Sequence, residues 1–504
     1  MFKPLHHIRR LLKVLTTFSA YNALTPLNAV AGNNKGMKAA LFIVGLMSFR
    51  KKASELREGE RLSKALQELG PAYIKLGQTL ATRPDIVGDE LADDLAHLQD
   101  RLPPFAEAEV LKAIEEEFAM PASELFKEFN PTAIAAASIA QVHFGLTHDD
   151  KEVAVKILRP GIRRLFAKDL ETLYWVAGIL EKYSSEAKRL RLKEIVNTIE
   201  VSVIAETNLL EEASSAETLG HNMADFDGYR VPKIYRELTT TRVLTMERIK
   251  GIAIHDKAAL EAAGHDTSAL AQTVVQAFLR QSIEDGFFHA DLHQGNLLVE
   301  SDGTLVAIDF GIMGHLDHAS RNFLGEILWG FQQRDFAHIA QVHFDAGYVP
   351  SDQSLELFSN RLKDIAEPII DKPIQEISFG HLLAQLMATT RSFSMRTQPQ
   401  LLMLQRSMVM VEGLALSLDQ NANMWRLSRP ELIRFVIAEQ RFPKPLQNLL
   451  TSLPFLFEAW LLFIKNIGAQ DNNKESNEDV MAFIADFIAL GILLIISTLT
   501  PKKA

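Results

Sequence analysis

Three polar side chains recur at fixed spacing late in this chain. They are Asp291, Asn296 five positions on, and Asp309 thirteen beyond that, within Phe288-His289-Ala290-Asp291-Leu292-His293-Gln294-Gly295-Asn296 and Ala307-Ile308-Asp309-Phe310-Gly311. Between them, Leu297-Leu298-Val299 and Leu305-Val306-Ala307-Ile308 read as two short apolar strands, with Ser301-Asp302-Gly303 as the turn. A hairpin of that length sets the distance between Asn296 and Asp309. An amide oxygen and a carboxylate held in this way suit Mg²⁺, a hard cation that takes oxygen ligands. Asp291 then stands where it would orient, or take a proton from, an attacking hydroxyl or water. Each tripeptide alone occurs by chance, but the combined spacing with a hairpin inside it specifies a phosphoryl-transfer loop.

A second piece belongs to the same chemistry. Glu152-Val153-Ala154-Val155-Lys156-Ile157-Leu158 predicts a strand that ends a Val-Ala-Val-Lys run on Lys156, a residue type that pairs with nucleotide phosphates in kinase-like lobes. About one hairpin upstream, where a glycine-rich phosphate loop would lie, stands Ala135-Ala136-Ala137-Ser138-Ile139-Ala140-Gln141-Val142-His143. It contains no glycine, so positive φ is disfavoured and the loop should be stiff. A lysine on phosphates needs a carboxylate to hold it, and a helix predicted over 195–219 offers Glu206, Glu211 and Glu212. Val231–Ile234 and Arg242–Glu247 read as the remaining strands. Glu247-Arg248-Ile249-Lys250-Gly251 is then the connection on whose backbone adenine would dock.

The rest of the chain frames these pieces with helices. Apolar residues at three- and four-residue steps predict helix from Ser63 to Leu98, interrupted at Arg83-Pro84-Asp85, and again from Phe105 to Phe118. Lys75-Leu76-Gly77-Gln78 lies in the first stretch, where composition alone would make Lys75 and Gln78 solvated polar residues. Beyond residue 251 helices are expected over 258–286, 318–346, 354–366, 379–391 and 399–419.

Charge and hydropathy concern the two ends. The net charge is −10, which excludes an obvious nucleic-acid binder, and the lack of cysteine excludes disulfides, thiolate metal sites and a cysteine nucleophile. Residues 1–54 nevertheless hold nine Lys or Arg and no Asp or Glu. Such a segment suits an anionic lipid surface, although a solvated helix face or an organelle presequence would also look like this. The apolar run 39–47 is too short to span a bilayer. Leu449–Ile467 carries Pro454, Glu458 and Lys465 and reads as an interfacial or core helix. Val480–Thr500 has the length of a membrane crossing and precedes Pro501-Lys502-Lys503.

Taken together, these motifs resemble the UbiB family (also called ADCK or AarF), atypical protein-kinase-like proteins of bacteria, mitochondria and plastids. Lys75-Leu76-Gly77-Gln78 is similar to its KxGQ helix, Ala135 to His143 to its alanine-rich loop, Lys156 and Glu212 to its nucleotide ion pair, and Asp291, Asn296 and Asp309 to its catalytic and metal positions. The family's ExD motif reads here as Glu206-Thr207-Asn208, which leaves Glu206 as the carboxylate available to Lys75. The resemblance implies an α+β, bilobal protein-kinase-like fold with a helical N-terminal extension and a hydrophobic C-terminal tail helix. The expected parts are basic N-terminal helices (1–62), an extension with the KxGQ helix (63–130), an N-lobe (131–250), a helical C-lobe (251–445) and an apolar tail segment (446–504).

The resemblance further implies ATP or ADP with Mg²⁺ as ligands, a KxGQ helix over the place where a protein kinase admits peptide, and a regulatory role for Lys75, Gln78, Glu206 and Asn208. It implies ATPase activity stimulated by membranes, in support of ubiquinone biosynthesis. Expected partners are membrane lipids, quinone-pathway intermediates and quinone-modifying enzymes, and it allows a homodimer. The location implied is the bacterial cytoplasmic membrane with the kinase-like part on the cytoplasmic side, or the mitochondrial inner membrane in a eukaryote. Read from residues alone, the catalytic loop also fits a small-molecule phosphotransferase of the aminoglycoside or choline kinase kind, or a lipid-binding scaffold switched by nucleotide.

Overall fold

The computed structural model describes residues 3–24, 55–81, 87, 89–96, 98, 103–137, 139–184, 187–188, 191–370, 389, 393 and 399–439. Ser138, the Arg83-Pro84-Asp85 break, the run 39–52, most of the 379–391 helix, Leu449–Ile467 and the tail helix over 480–500 lie outside the described residues. Among those described, no helix is long and apolar enough to cross a membrane.

The N-terminal part is built from helices α1 (Lys3–Ala20), α2 (Glu58–Leu69), α3 (Pro71–Ala81) and α4 (Asp89–Ala96). The single helical stretch expected from Ser63 is thus divided. Gly70 takes φ +109 and ends α2, and Pro71 opens α3, at the first helical position that tolerates a residue without an N–H. Gly77 has its own reason to be glycine: a Cβ there would come within 2.7 Å of both Leu66 and Leu98. The KxGQ glycine therefore lets α3 lie close against α2.

Next come α5 (Glu107–Phe118), α6 (Ala122–Leu125) and a five-stranded sheet. Its strands are β1 (Glu128–Phe129), β2 (Ala135–Ala136), β3 (Ala140–Leu146), β4 (Glu152–Leu158) and β6 (Val243–Glu247). They run in the order β1-β3-β4-β6, with β2 on β3. The period-two alternation of β4 decides which face is which. Val153, Val155 and Ile157 enter a core with Val110, Ile114 and Phe126. Lys156, between them, faces the other way, in register with Val142 of β3 and Leu244 of β6.

Helix α7 (Ile162–Tyr183) precedes α8 (Leu192–Glu206) and α9 (Leu209–Asn222). One helix was expected here; the structure breaks it at Thr207-Asn208. The Thr207 hydroxyl bonds back to the Val203 carbonyl, while the Thr207 carbonyl accepts from Arg163. The Leu209 N–H goes to Thr241. The Arg163 and Thr241 contacts draw the Thr207 carbonyl and the Leu209 N–H out of the helical ladder.

A second sheet takes β5 (Tyr229–Arg230), β7 (Ile252–Ala253), β9 (Leu297–Val299) and β10 (Leu305–Ala307) in the order β5-β10-β9-β7. The strand expected at 231–234 is replaced by β5 and a single bridge from Ile234 to Met246. The expected β9–β10 hairpin forms, with Leu305 opposite Val299, and Gly303 in its turn takes φ +92. The helix expected over 258–286 is three pieces: α10 (Lys257–Ala262), α11 (Thr267–Leu279) and a π-helical turn over Arg280–Asp285. Gly264, at φ +85, makes the first break. A two-stranded sheet of β8 (Phe287–His289) and β11 (Met313–His315) then carries the catalytic loop.

By compactness the chain forms two units. One runs to Gln281 and includes Phe287–His315 and the later helix Pro399–Leu418; every site residue lies in it. The other holds Ser282–Gly286, α12 (His318–Gln333), α13 (Phe336–Asp345), α14 (Leu355–Ile370) and the helix Met424–Glu439. Arg334, left-handed at φ 58, parts α12 from α13, which were expected as one helix. Its core clusters Phe331, Ile339, Val342, Phe358 and Leu362 around His343.

Burial holds the His343 ring at a pKa of about 4, with Nδ1 bonded to the Ile339 carbonyl at 2.7 Å. The unfolded chain takes up that proton near the ordinary histidine value of 6.5, so between these values it binds more protons than the folded one. Stability is fully present above pH 6.5 and is lost as pH falls toward 4. Urea unfolding should show a loss of about 2 kcal/mol from this group between pH 7 and pH 5. His343→Gln should flatten that slope; an unchanged slope would contradict the assignment.

Candidate active site

Strand β4, helix α9 and the segment after β10 bring three charges together. Lys156 Nζ stands 2.6 Å from Glu212 Oε1 and 3.2 Å from Asp309 Oδ2. Lys156 and Glu212 are 14% and 4% exposed at the side chain, whereas Asp309 is 43% exposed, so the lysine is gripped from inside and shared at the open edge. The break at Thr207-Asn208 decides which glutamate does this. Glu206, before the break, meets Lys75 of α3 at 2.6 Å and accepts from the Ser202 hydroxyl. Glu211 receives the Asn208 side-chain amide at 2.7 Å. Glu212, after the break, is left to Lys156.

The charges set one another. Burial alone would lower Lys156, but Asp309 and Glu212 together raise it, so the ammonium stays charged. Burial pushes the Glu212 carboxyl up and the Asp309 charge adds to this, against Lys156. Burial would raise Asp309 as well, yet the Lys156 ammonium and the Gly311 N–H, 3.0 Å from Oδ1, hold it below the usual carboxylate range. Asp309 therefore stays anionic, at the exposed side.

The catalytic loop is locked by backbone contacts. His289 is buried, and desolvation lowers its pKa, so the ring is neutral. Nδ1 accepts the Asp291 N–H at 3.2 Å, which puts the ring proton on Nε2 and directs it to the Asp309 carbonyl. Asn296 donates Nδ2 to the Asp291 carbonyl at 3.0 Å, leaving its amide oxygen for another partner. An amide oxygen and an anionic carboxylate at the two ends of one hairpin fit the donor chemistry of Mg²⁺. No three His, Cys, Asp or Glu side chains converge on a metal position among the described residues, so phosphate oxygens and water would complete the coordination.

Other expected site residues fall differently. Ala135 and Ala136 pair with Val142 and Gln141, and the Ala137 N–H closes the tip on the Ala140 carbonyl. Ile139 accepts from the Arg159 N–H. The alanine-rich loop is thus a pinned hairpin tip. Ala140 and Val142 share the face of Lys156, but Gln141 and His143, expected at the nucleotide, have their side chains on the opposite face. There Gln141 accepts the Phe105 N–H and bonds His143, whose other nitrogen meets the Asn130 carbonyl. These two are structural because strand alternation turns them into the core. Asn208 bonds Glu211 and not α3, and Gln78 makes no side-chain hydrogen bond among the described residues.

Several supporting residues belong to no sequence motif. Arg230 forks between Glu247 and Glu300, with four contacts of 2.7–2.9 Å, and joins the two larger sheets beside the connection at 247–251. Gln281, in the π-turn, accepts the His289 N–H, and Ser407 of the helix Pro399–Leu418 donates to the Ala290 carbonyl. The charges of Arg230, Glu247 and Glu300 are a visible signal, though not of their meeting. An isolated glutamine and serine on helices give none.

This fold and site define a kinase-like phosphoryl-transfer protein. Residues 97–343 match the ABC1 atypical kinase-like domain and residues 362–423 the UbiB helical domain. The chain is 40% identical to a probable protein kinase UbiB of Marinobacter nauticus, covering 82% of this chain and 78% of that one. It is 38% identical to a probable protein kinase UbiB of Azotobacter vinelandii, covering 89% of this chain and 86% of that one. It belongs to the UbiB family of ABC1 atypical kinase-like proteins. The Mycobacterium tuberculosis protein Rv3197, solved in complex with erythromycin, shares the fold at a TM-score of 0.51 and 22% identity, covering 74% of this chain and 95% of that one.

The Lys75–Glu206 pair is nearly buried, at 11% and 9% side-chain exposure. Lys75→Met would strand the Glu206 charge and should cost about 3 kcal/mol in urea unfolding, whereas Lys75→Met with Glu206→Leu should recover most of it. A single substitution costing under about 1 kcal/mol would show the pair to be solvated.

Proposed function

We propose that this chain binds ATP with Mg²⁺ around Lys156 and turns it over at a membrane surface, in support of ubiquinone biosynthesis. The observation that carries the reading is the convergence of Lys156, Glu212 and Asp309 from three separate elements. Lys156 would bind phosphate oxygens, with Glu212 keeping its ammonium extended. Asn296 and Asp309 would hold Mg²⁺, which supplies neutralisation of the charge on the transferred group. Asp291 would orient the attacking water or hydroxyl and accept its proton. Buried neutral His289 keeps Asp291 and the Asp309 backbone in register.

Membership of the UbiB family supports the ubiquinone pathway, and the acid-free basic segment 1–54 and the apolar run 480–500 support a lipid surface. In a bacterium that surface would be the cytoplasmic membrane, with the kinase-like part on the cytoplasmic side. The substrate class follows: lipophilic quinone intermediates made accessible to the enzymes that modify them. Phosphate release from ATP should depend on Mg²⁺, rise with liposomes, and fall about a hundredfold or more in Asp309→Asn. A soluble metabolite phosphorylated in place of phosphate release would favour the small-molecule phosphotransferase instead.

A further inference from the structure

A cavity of about 320 Å³ lies at α1, well apart in sequence from the Lys156 chemistry. Three cations of α1, Arg9, Arg10 and Lys13, line it, with Tyr73 of α3 and Asp169 of α7. Asp169, 3% exposed, pairs with Arg10 and cancels one positive charge. Arg9 and Lys13 have no carboxylate partner among the described residues, and residues 1–54 contain no Asp or Glu to supply one. The cavity therefore carries two uncompensated cations beside a neutralised pair.

The second observation is Tyr73. Its side chain is buried, at 3% exposure; the Arg10 guanidinium beside it can only donate to the hydroxyl oxygen, so the phenol proton has no acceptor among the described residues. Burial, and then the charge of Asp169, keep the phenol protonated, so it presents a donor. A buried donor left unmade costs roughly 1–3 kcal/mol and calls for an acceptor. Apolar walls from Val14 and Leu69 complete the lining. Two spare cations, one spare donor and an apolar wall match an anion with several acceptor oxygens on a carbon body.

We propose that this cavity binds the phosphate group of a mono- or diester, held by Arg9, Lys13 and Tyr73, with Arg10 fixed by Asp169. The ester comes either from a lipid headgroup or from a soluble metabolite. Tyr73 lies two residues before Lys75 on α3, so the ligand and the Lys75–Glu206 pair hold the same helix.

The test uses the full chain in detergent, in a Lys156→Ala background that removes the competing phosphate contact. Glycerol 3-phosphate is titrated by calorimetry, and flotation is measured with phosphatidylcholine vesicles with and without phosphatidylglycerol. Arg9→Gln with Lys13→Gln should weaken glycerol phosphate binding about tenfold or more, and Tyr73→Phe, which removes no charge, about fivefold. If the phosphatidylglycerol-dependent flotation falls in the same variants, the headgroup is the source. If it is intact while glycerol phosphate binding is lost, the source is a soluble ester. Unchanged affinity in Tyr73→Phe, or no binding of either probe by the parent, would overturn the proposal.

Discussion

One ammonium between two carboxylates is the interaction on which this site depends. Lys156 on a central strand, Glu212 on a helix and Asp309 after a hairpin are brought within 3.2 Å of a common centre. Burial makes Glu212 the more readily protonated carboxylate and leaves Asp309 charged at the open side. That division matters chemically. A neutral Asp309 could not offer a cation ligand, and a fully exposed Glu212 would release the lysine to solvent.

The position of Glu212 depends in turn on a helix that fails to continue. Arg163, the Thr207 side chain and the Thr241 carbonyl end α8 and restart α9. Without that break Glu206 and Glu212 would belong to one rod. With it, Glu206 closes on Lys75 of the KxGQ helix and Glu212 on Lys156. Two ion pairs six residues apart thus join the N-terminal helices to the Lys156 site through one short turn. The π-turn at Gln281 and the hydroxyl of Ser407 hold the catalytic loop from behind in the same local way, through backbone groups of His289 and Ala290.

Much of this was legible in the residues. The Asp291, Asn296 and Asp309 spacing, the strand ending on Lys156 and the β9–β10 hairpin are local patterns, and local patterns survive folding. Three glutamates near Lys156 could not be told apart by spacing, because the choice rests on a break made by tertiary partners. The same limit produced one expected helix in place of α12 and α13. Gln141 and His143 were placed at the nucleotide by their neighbours in sequence; strand alternation, readable once β3 is known, turns their side chains to the core. The Arg230 fork needed three elements to meet, and no linear pattern announces that.

The central claim is that Lys156 and Asp309 act on one ligand rather than on two. A double-mutant cycle on Mg·ADP affinity, with Lys156→Ala, Asp309→Asn and both together, measures this directly by calorimetry. The account predicts strong non-additivity, with the double variant losing little more than the worse single one and a coupling of about 1 kcal/mol or more. Losses that simply add would contradict it.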